Sequence, residues 1–420
     1  MKKTPVSADA TTLQKFIYHG HQNEKVPKSV KEATIHESVN RIGPGSFHCC
    51  TKLKKVTFNN NATKQIPLRA FHSCLSLTIL KLPQNLNYIG MGAFQECLRL
   101  EAIFLPSSVT TIDHNAFMHC NMLRFFHVPD CVRQLGRKIT YGCDHLFRNS
   151  NQNYTENDRG EITNDDEVSD WLIHRHDHCP LHLVCYSTAI TAGAIGDCLA
   201  EHGAECAMMT NSQGMLPLHI VVANPYASSP DIISACYVAA PEAIMSQDEY
   251  GCTPLHYLCK YKASMIGSLP WLNVGIDFDS VSDEGGMTPL GVLRSCNCKS
   301  IRFMPLYAAI KHHISWEDGM KDIVADKMQD EGHFMRLLTE KDSVTGLYPF
   351  MLAAACDLNE SVTGAHSGMI DLSVVYALLR ANVDASIPCI RPQAISLLDN
   401  GALTEEESTL RKRKRDDICI

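Results

Sequence analysis

Apolar residues recur at a fixed period through the first third of the chain. Four phenylalanines are separated by 24, 23 and 23 residues, and a cysteine lies three positions after each of them. The phenylalanines are Phe47, Phe71, Phe94 and Phe117, and the cysteines are Cys50, Cys74, Cys97 and Cys120. Each repeat also holds a short run of alternating apolar and polar residues, such as Leu80, Lys81 and Leu82. This period of two predicts a strand with one buried side.

A repeat of 23 residues is too short to bury its own apolar side. Stacked copies share one continuous core, so the pattern predicts a solenoid with its strands in a ladder. The recurring cysteines would then stand in neighbouring strands about 4.8 Å apart, whereas a disulfide needs Cβ atoms near ~3.8 Å and suitably turned vectors. We therefore expect these cysteines to be buried structural thiols.

Two segments carry a family resemblance in this region. The stretches "LKLPQNLNYIGMGAFQECLRL" and "IFLPSSVTTIDHNAFMHCNML" closely resemble the running pattern of BspA-type leucine-rich repeats. The resemblance covers roughly residues 29 to 135, with a weaker leading copy near Val30. It implies a leucine-rich-repeat domain at 29–148, preceded by an N-terminal arm at 1–28.

A second recurrence follows a polar break. Residues 149–167 are almost free of apolar side chains and predict a linker, because such a stretch cannot fill a core. Beyond it, a Pro-Leu-His-like triplet begins at Pro180, Pro217, Pro254 and Pro289, in steps of 37, 37 and 35 residues. A glycine three positions before most of these prolines predicts a tight turn that enters a helix.

The second recurrence resembles the ankyrin repeat. Its signature turn is nearly intact in "GCTPLHYLC" and "GMTPLGVL", which implies an ankyrin-repeat domain at 168–395. The interval of 60 residues from Pro289 to Pro349 departs from that period, so residues 311–339 are either a helical insertion, which we favour, or a degenerate extra copy. A flexible charged tail is predicted at 396–420.

The predicted fold class is therefore two repeat solenoids. The first is an α/β (mostly β) leucine-rich-repeat solenoid, and the second is an all-α ankyrin-repeat solenoid. Such a combination resembles expanded protein families of unicellular eukaryotes and implies interaction roles.

Length and composition agree with a folded protein of more than one domain. The chain has 420 residues, of which 45% are apolar and 20% charged, and a single core usually stops growing before this length. The net charge of -8 disfavours broad nucleic-acid binding, which needs a dense basic surface. No apolar run is long enough to suggest a membrane span.

The N-terminal sequence and the cysteines bear on location. Met1 to Tyr18 lacks the apolar core of a secretory signal. The 19 cysteines then favour reduced thiols. We expect an intracellular protein, cytoplasmic or nuclear or both.

Candidate catalytic and metal-binding motifs are weak. The chain has no P-loop, no GxSxG, no HExxH and no GxGxxG motif, so we expect neither an enzyme nor a cofactor or small-molecule substrate. The residues that could suggest zinc are His174, His176, His178, Cys179, His182 and Cys185. Their spacing does not assemble a closed ligand set, and the ankyrin resemblance gives His182 a structural hydrogen bond, so we favour a structural role over a metal site.

Outward positions of the strand ladder form the predicted partner site. It comprises Ile79, Lys81, Phe104, Phe125 and His127, because exposed aromatic residues are common binding anchors. The alternative, which we weigh equally, is that the N-terminal arm or the ankyrin block covers this surface.

The C-terminal tail contains five adjacent basic residues. They are Arg411, Lys412, Arg413, Lys414 and Arg415. Such a run suits either nuclear import or simple solubility, and the sequence does not separate the two.

The resulting functional hypothesis is a non-catalytic scaffold or adaptor that binds other proteins through two repeat surfaces. One alternative is a surface or secreted adhesion protein, since BspA-type repeats occur on cell surfaces. Another is a nuclear regulator directed by the basic tail. A hydrolase or metal enzyme would require the cluster from His174 to Cys185 to be a true site.

Overall fold

The structure is a computed structural model. It describes residues 14–21, 24–59, 61–148, 150–152, 154–159, 161–273 and 276–296. Beyond these it describes 304, 306–312, 314, 319–327, 338, 347–355, 374–375 and 378. The chain divides into two compact units, Met1–Leu269 with Phe278–Asn297, and Pro270–Asp277 with Cys298–Ile420.

Short parallel strands open the first unit. One sheet contains β1 (Lys15–Tyr18), β2 (Glu32–Ile35) and β3 (Lys55–Phe58). A second contains β4 (Gln65–Ile66), β6 (Tyr88–Ile89), β8 (Thr111–Ile112) and β9 (Gln134–Leu135), and a third pairs β5 (Ile79–Leu80) with β7 (Ala102–Ile103). Equivalent residues pair from repeat to repeat, as Ile66 with Ile89 and Ile89 with Ile112. The predicted leucine-rich-repeat solenoid is confirmed.

The first strand lies within the predicted N-terminal arm. β1 pairs with β2 in register, and the Tyr18 side chain is buried. Its hydroxyl hydrogen-bonds Ser46 Oγ at 3.0 Å and accepts the Gly43 N–H at 2.9 Å. The Tyr18 ring also lies 5.3 Å from the Phe47 ring, so this residue continues the phenylalanine row. Residues 15–18 therefore extend the stack and are not a separate arm.

The repeated phenylalanines stand one behind another in the core. Ring centroids of Phe71 and Phe94 lie 5.3 Å apart with planes within 3°, and those of Phe94 and Phe117 lie 5.4 Å apart within 2°. Beside them runs a row of thiols. Cys97 donates to the Phe71 carbonyl at 3.1 Å, and Cys120 donates to that of Phe94 at 3.1 Å. Each thiol thus serves as a weak donor to the preceding repeat, the buried structural role that we predicted.

One turn glycine is required by close packing. A Cβ atom at Gly90 would lie 2.8 Å from Leu68 N and 2.9 Å from the Pro67 carbonyl carbon. Any side chain there would force the adjacent repeats apart, because both obstacles are backbone atoms. The G-x-G pair at Gly90 and Gly92 is therefore a packing feature of the solenoid.

Native-state alkylation should separate the thiol row from the remaining cysteines. We expect iodoacetamide to modify Cys49 and Cys131, which are partly exposed, at least about tenfold faster than Cys74, Cys97 and Cys120. The thiolate is the reactive form, and burial keeps the row away from both reagent and water. Peptide mass spectrometry after timed quenching measures the rates. Unfolding in urea is the control, and equal rates in the native protein would contradict the buried row.

Helices follow the strands within the first unit. They are α1 (Asp165–His174), α2 (Pro180–Tyr186), α3 (Ala192–His202), α4 (Pro217–Ala223), α5 (Pro230–Ala239), α6 (Pro254–Tyr261) and α7 (Pro289–Cys296). Short 3₁₀ segments lie at Ala204–Met208, Pro241–Met245 and Ala263–Ser268. Prolines begin α2, α4, α6 and α7 at the predicted positions, where a missing N–H costs nothing. We call α1 to α7 the helical block.

The predicted turns before Pro217 and Pro254 have the same hydrogen bonds. Asn211 Oδ1 accepts the N–H groups of Gln213 and Met215, at 2.9 and 3.0 Å. Asp248 Oδ1 accepts those of Tyr250 and Cys252, both at 2.9 Å. An Asx side chain thereby closes the turn ahead of α4 and α6.

The histidines of the triplets link consecutive repeats. His182 Nε2 bonds the Met215 carbonyl at 2.8 Å, and His219 Nε2 bonds the Cys252 carbonyl at 3.2 Å. Both rings are fully buried. The structural hydrogen bond predicted for His182 is confirmed.

Part of the predicted linker packs against the last strand-bearing repeat. Helix α1 begins at Asp165, inside the predicted linker range, and Trp171 lies 5.3 Å from the Phe147 ring. Tyr154 bonds Thr140 Oγ1 at 3.2 Å through its hydroxyl. These contacts tie α1 and the segment before it to the end of the solenoid.

The described helices of the second unit are α8 (Leu306–Lys311), α9 (Lys321–Lys327) and α10 (Pro349–Ala355). α8 packs against α10 and against the 3₁₀ segment Pro270–Asn273. Of the predicted insertion at 311–339, residues 321–327 are helical. The choice between an insertion and an extra copy stays a prediction. The tail at 396–420, with its basic run Arg411 to Arg415, lies outside the described residues.

Candidate functional site

The strand face is the surface formed by the outward side chains of β3, β5 and β7 and of the residues that follow them in the ladder. Two outward columns run along it: Lys55, Ile79, Ala102 and Phe125, and Thr57, Lys81, Phe104 and His127. The helical block covers the later half of this face and leaves the earlier half open. The sequence could not distinguish these halves.

Phe104 and Phe125 lie under the helical block, with relative exposures of 1% and 0%. The Phe104 ring lies 5.7 Å from Tyr186 of α2, and Phe125 makes an edge contact with Tyr257 of α6 at 5.0 Å. The prediction that these two phenylalanines form an exposed partner site is therefore wrong. The stated alternative, in which the helices cover them, describes the structure.

His127 is also enclosed at this junction. Its ring lies 5.6 Å from both His176 and Tyr186. Burial, and next the nearby Arg175 guanidinium, lower the pKa of His127 to about 4. His127 therefore belongs to the covered half of the strand face, not to a partner surface.

Charged side chains connect the leucine-rich-repeat solenoid with the helical block. Glu101 is 4% exposed and accepts two hydrogen bonds from Lys260 Nζ, at 2.6 and 2.8 Å. Arg124 donates to the Tyr257 hydroxyl at 3.0 Å and stacks 4.0 Å from the Tyr250 ring. Removing one member of such a buried pair leaves an uncompensated charge, so these contacts make the junction specific.

The residues considered for zinc are spread over different surroundings. His174 is exposed and bonds Asp177 Oδ2 at 2.9 Å, while His176 is fully buried against Tyr186 at 5.0 Å. Cys179 and Cys185 are buried free thiols. Within the part of the chain that the structure describes, no group of three or more His, Cys, Asp or Glu is arranged to hold a metal ion.

A groove of about 690 Å³ occupies the open half of the strand face. It lies where β3 and β5 are neighbours but belong to different sheets. Ile79 and Lys81, the other two predicted partner residues, line it. Its further lining residues are Lys54, Lys55, Val56, Thr57, Phe58, Asn59, Asn61, Thr78, Leu82, Pro83, Gln84, Pro225 and Tyr226. We call this feature the groove.

One wall of the groove comes from the helical block. Tyr226 donates its hydroxyl to the Leu82 carbonyl at 2.6 Å, and Lys81 Nζ lies 5.0 Å from the centre of its ring. Gln84 and Thr188 exchange hydrogen bonds of 3.1 and 3.2 Å nearby. The loop after α4 therefore forms one wall of the groove.

A buried lysine supports that loop from behind. Lys262 Nζ donates to the carbonyls of Asn224 and Ala227, at 2.7 and 2.5 Å. Burial, together with the charge of Lys81, lowers the pKa of Lys262 to about 8. At neutral pH the Lys262 amine is therefore mostly protonated, and its charge adds positive potential beside the groove.

The groove is basic although the chain is acidic. Its lining residues include three lysines and no carboxylate. Among the described residues, no carboxylate oxygen lies within 4.0 Å of Lys54, Lys55 or Lys81 Nζ. A local positive field on a chain of net charge -8 favours negatively charged partners.

The sequence pattern predicts two of the groove residues, Ile79 and Lys81, but not the others. Lys55 and Thr57 occupy outward positions of the same strand pattern, which does not mark them as part of a site. Pro225 and Tyr226 are about 145 residues from Lys81 in the chain, and no period connects the two.

A family model matches the strand-bearing part of the chain. Residues 26–146 match the model of the BspA type leucine rich repeat region, in six copies. No curated protein matches the chain. Among the described residues, no helix has the length and apolar character needed to cross a bilayer.

Several solved structures are similar to about a third of this chain. A leucine-rich repeat protein from Bacteroides ovatus is 27% identical, with 32% of this chain and 36% of that chain covered and a TM-score of 0.28. The T. pallidum Leucine Rich Repeat protein is 22% identical, with 32% and 78% covered and a TM-score of 0.27. The pneumococcal vaccine antigen PcpA is 27% identical, with 31% and 33% covered and a TM-score of 0.26. The match thus spans about a third of the Bacteroides protein.

Proposed function

We propose that this protein is a non-catalytic scaffold that holds another protein in the groove on its strand face. The observation that carries the proposal is the open groove beside a covered half of the same face. Leucine-rich repeats generally serve protein interaction, and a concave surface with an apolar floor and a polar rim suits that role.

We further propose that the helical block is an ankyrin-repeat stack. In support, the Asx-closed turns, the prolines that begin α4 and α6, and the histidine bonds to the next repeat recur at the period of the resembling sequence. Its role in the proposal is specific, since it supplies the Tyr226 wall of the groove.

An intracellular location is part of this proposal. It is supported by fourteen cysteines among the described residues that are free thiols, which suits a reducing compartment. The adhesion alternative places the same groove on a cell surface. In the nuclear alternative, the basic run Arg411 to Arg415 directs import.

Site-specific crosslinking in the native cell tests the scaffold. With a photo-crosslinking amino acid at Thr57, we expect a defined adduct that Ile79→Asp reduces at least about tenfold, because a buried unpaired charge opposes docking. The same amino acid at Arg133, an exposed position outside the groove, is the matched control.

The identity of the Thr57 adduct is then read by mass spectrometry. An adduct that forms equally at Arg133, or that persists in the Ile79→Asp protein, would contradict a groove-bound partner. Thermal melting checks that the Ile79→Asp protein is folded. We expect it to fold, because Ile79 is the partly exposed residue of β5.

A further inference from the structure

We infer that the groove recognises an acidic segment of its partner that places an apolar side chain against Ile79 and Tyr226. This inference rests on the proposed scaffold function and adds the chemistry of the ligand. It is carried by the composition of the rim, the composition of the floor and the position of Lys262.

The rim carries three lysines, of which Lys81 also contacts the Tyr226 ring. Lys54 and Lys55 flank the groove on the β3 side and Lys81 on the β5 side. Since no carboxylate of the described residues pairs with them, their charges are available to a ligand. Buried Lys262 strengthens the field on the Tyr226 side, where side-chain motion cannot move its charge away.

The floor of the groove is apolar. Phe58, Ile79, Pro225 and Tyr226 present carbon surface between the lysines. An apolar side chain buried against this floor makes the free energy of binding more favourable, because water is excluded from both surfaces. A ligand with charges alone would lack this contribution. A ligand that matches both parts has acidic residues around a central apolar or aromatic residue.

Nucleic acid fits this surface less well. Phosphate-backbone binding requires a long basic track, and the groove has three lysines, no arginine and only Phe58 and Tyr226 as aromatic residues. Its volume of about 690 Å³ suits a short peptide segment. We therefore assign the groove to an acidic peptide.

The test is fluorescence anisotropy with the full chain and a labelled peptide. The probe has Leu-Phe-Leu at its centre and four glutamates on each side. We expect saturable binding, weakened at least about tenfold by the combined changes Lys54→Gln, Lys55→Gln and Lys81→Gln. A probe with Gly-Ser-Gly at its centre should bind at least about tenfold more weakly to the unchanged protein.

Matched controls separate site binding from general attraction. The changes Lys25→Gln, Lys64→Gln and Arg133→Gln remove the same charge from exposed positions outside the groove and should leave affinity within about twofold. Equal weakening by both sets would overturn the inference. So would single-stranded DNA of the same charge binding as tightly as the peptide, or a lysine version of the probe binding as tightly as the glutamate version.

The two proposals fail in different ways. If the Thr57 adduct is lost with Ile79→Asp but unaffected by the three groove glutamines, the scaffold stands and the acidic ligand is wrong. If the adduct itself is absent while the glutamate probe binds the groove, the acidic recognition stands and the scaffold function is wrong.

Discussion

Replacing Phe125 with alanine should lower the free energy of unfolding of the first unit by about 3–5 kcal/mol. The Phe125 ring is fully buried and makes an edge contact with Tyr257 at 5.0 Å. Its removal loses the favourable free energy of transferring the ring from water into the protein interior. It also opens a cavity between the solenoid and α6. Urea unfolding followed by circular dichroism measures the change.

Ile79→Ala is the matched control, because Ile79 occupies the same outward column two repeats earlier. Its side chain is partly exposed in the groove, so we expect a loss of about 1 kcal/mol. A double-mutant cycle of Phe125→Ala with Tyr257→Leu should reveal a coupling of about 0.5–1.5 kcal/mol. Equal losses for Phe125→Ala and Ile79→Ala would contradict a covered half of the strand face.

This contrast marks how far the sequence could specify the site. Alternation within each strand separates side chains that face the solenoid core from those that face outward, and the phenylalanine and cysteine rows follow from it. It does not say what lies on the outward side. The change from Lys55 and Thr57 to Phe104 and Phe125 along the two columns was the available signal, and an apolar outward face fits a covering domain and a partner equally well.

The junction between the two blocks could not be predicted for a similar reason. Period and turn chemistry place α4 and α6 correctly because each feature is local. The contacts of Tyr226 with Leu82, and of Lys260 with Glu101, join residues more than 140 positions apart. Such pairs depend on how one stack docks on another, for which a single sequence carries no periodic signal.

Acidification should destabilise the helical block through its buried histidines. Burial lowers the pKa of His182 and of His219 to about 4, against about 6.5 for an exposed imidazole. The folded state therefore binds fewer protons than the unfolded state between these values. The stability due to the neutral rings is complete above about pH 6.5 and is lost as the pH falls toward 4. From pH 7 to pH 5 the two rings together should cost about 4 kcal/mol.

The geometry at His219 gives the physical reason. Its Nδ1 accepts the Leu216 N–H at 3.0 Å, and its Nε2 faces the Cys252 carbonyl at 3.2 Å. A second proton would bind Nδ1 and face the N–H of Leu216, which it would repel. The ring is fully buried, so water cannot relieve this repulsion. Asp248 acts in the opposite direction, because burial raises its pKa and its protonation at low pH offsets part of the loss.

Variants isolate the contribution of His219 to this acid loss. Between pH 5 and 6, His219→Gln should reduce the slope of unfolding free energy against pH by about 1 kcal/mol per pH unit, since one fewer proton is taken up on unfolding. His202→Gln is the control, because it replaces an exposed histidine at the end of α3 that takes no part in the bond to Cys252. An unchanged slope in the His219→Gln protein would show that this ring already titrates in the folded state, and that the buried bond to Cys252 does not hold it neutral.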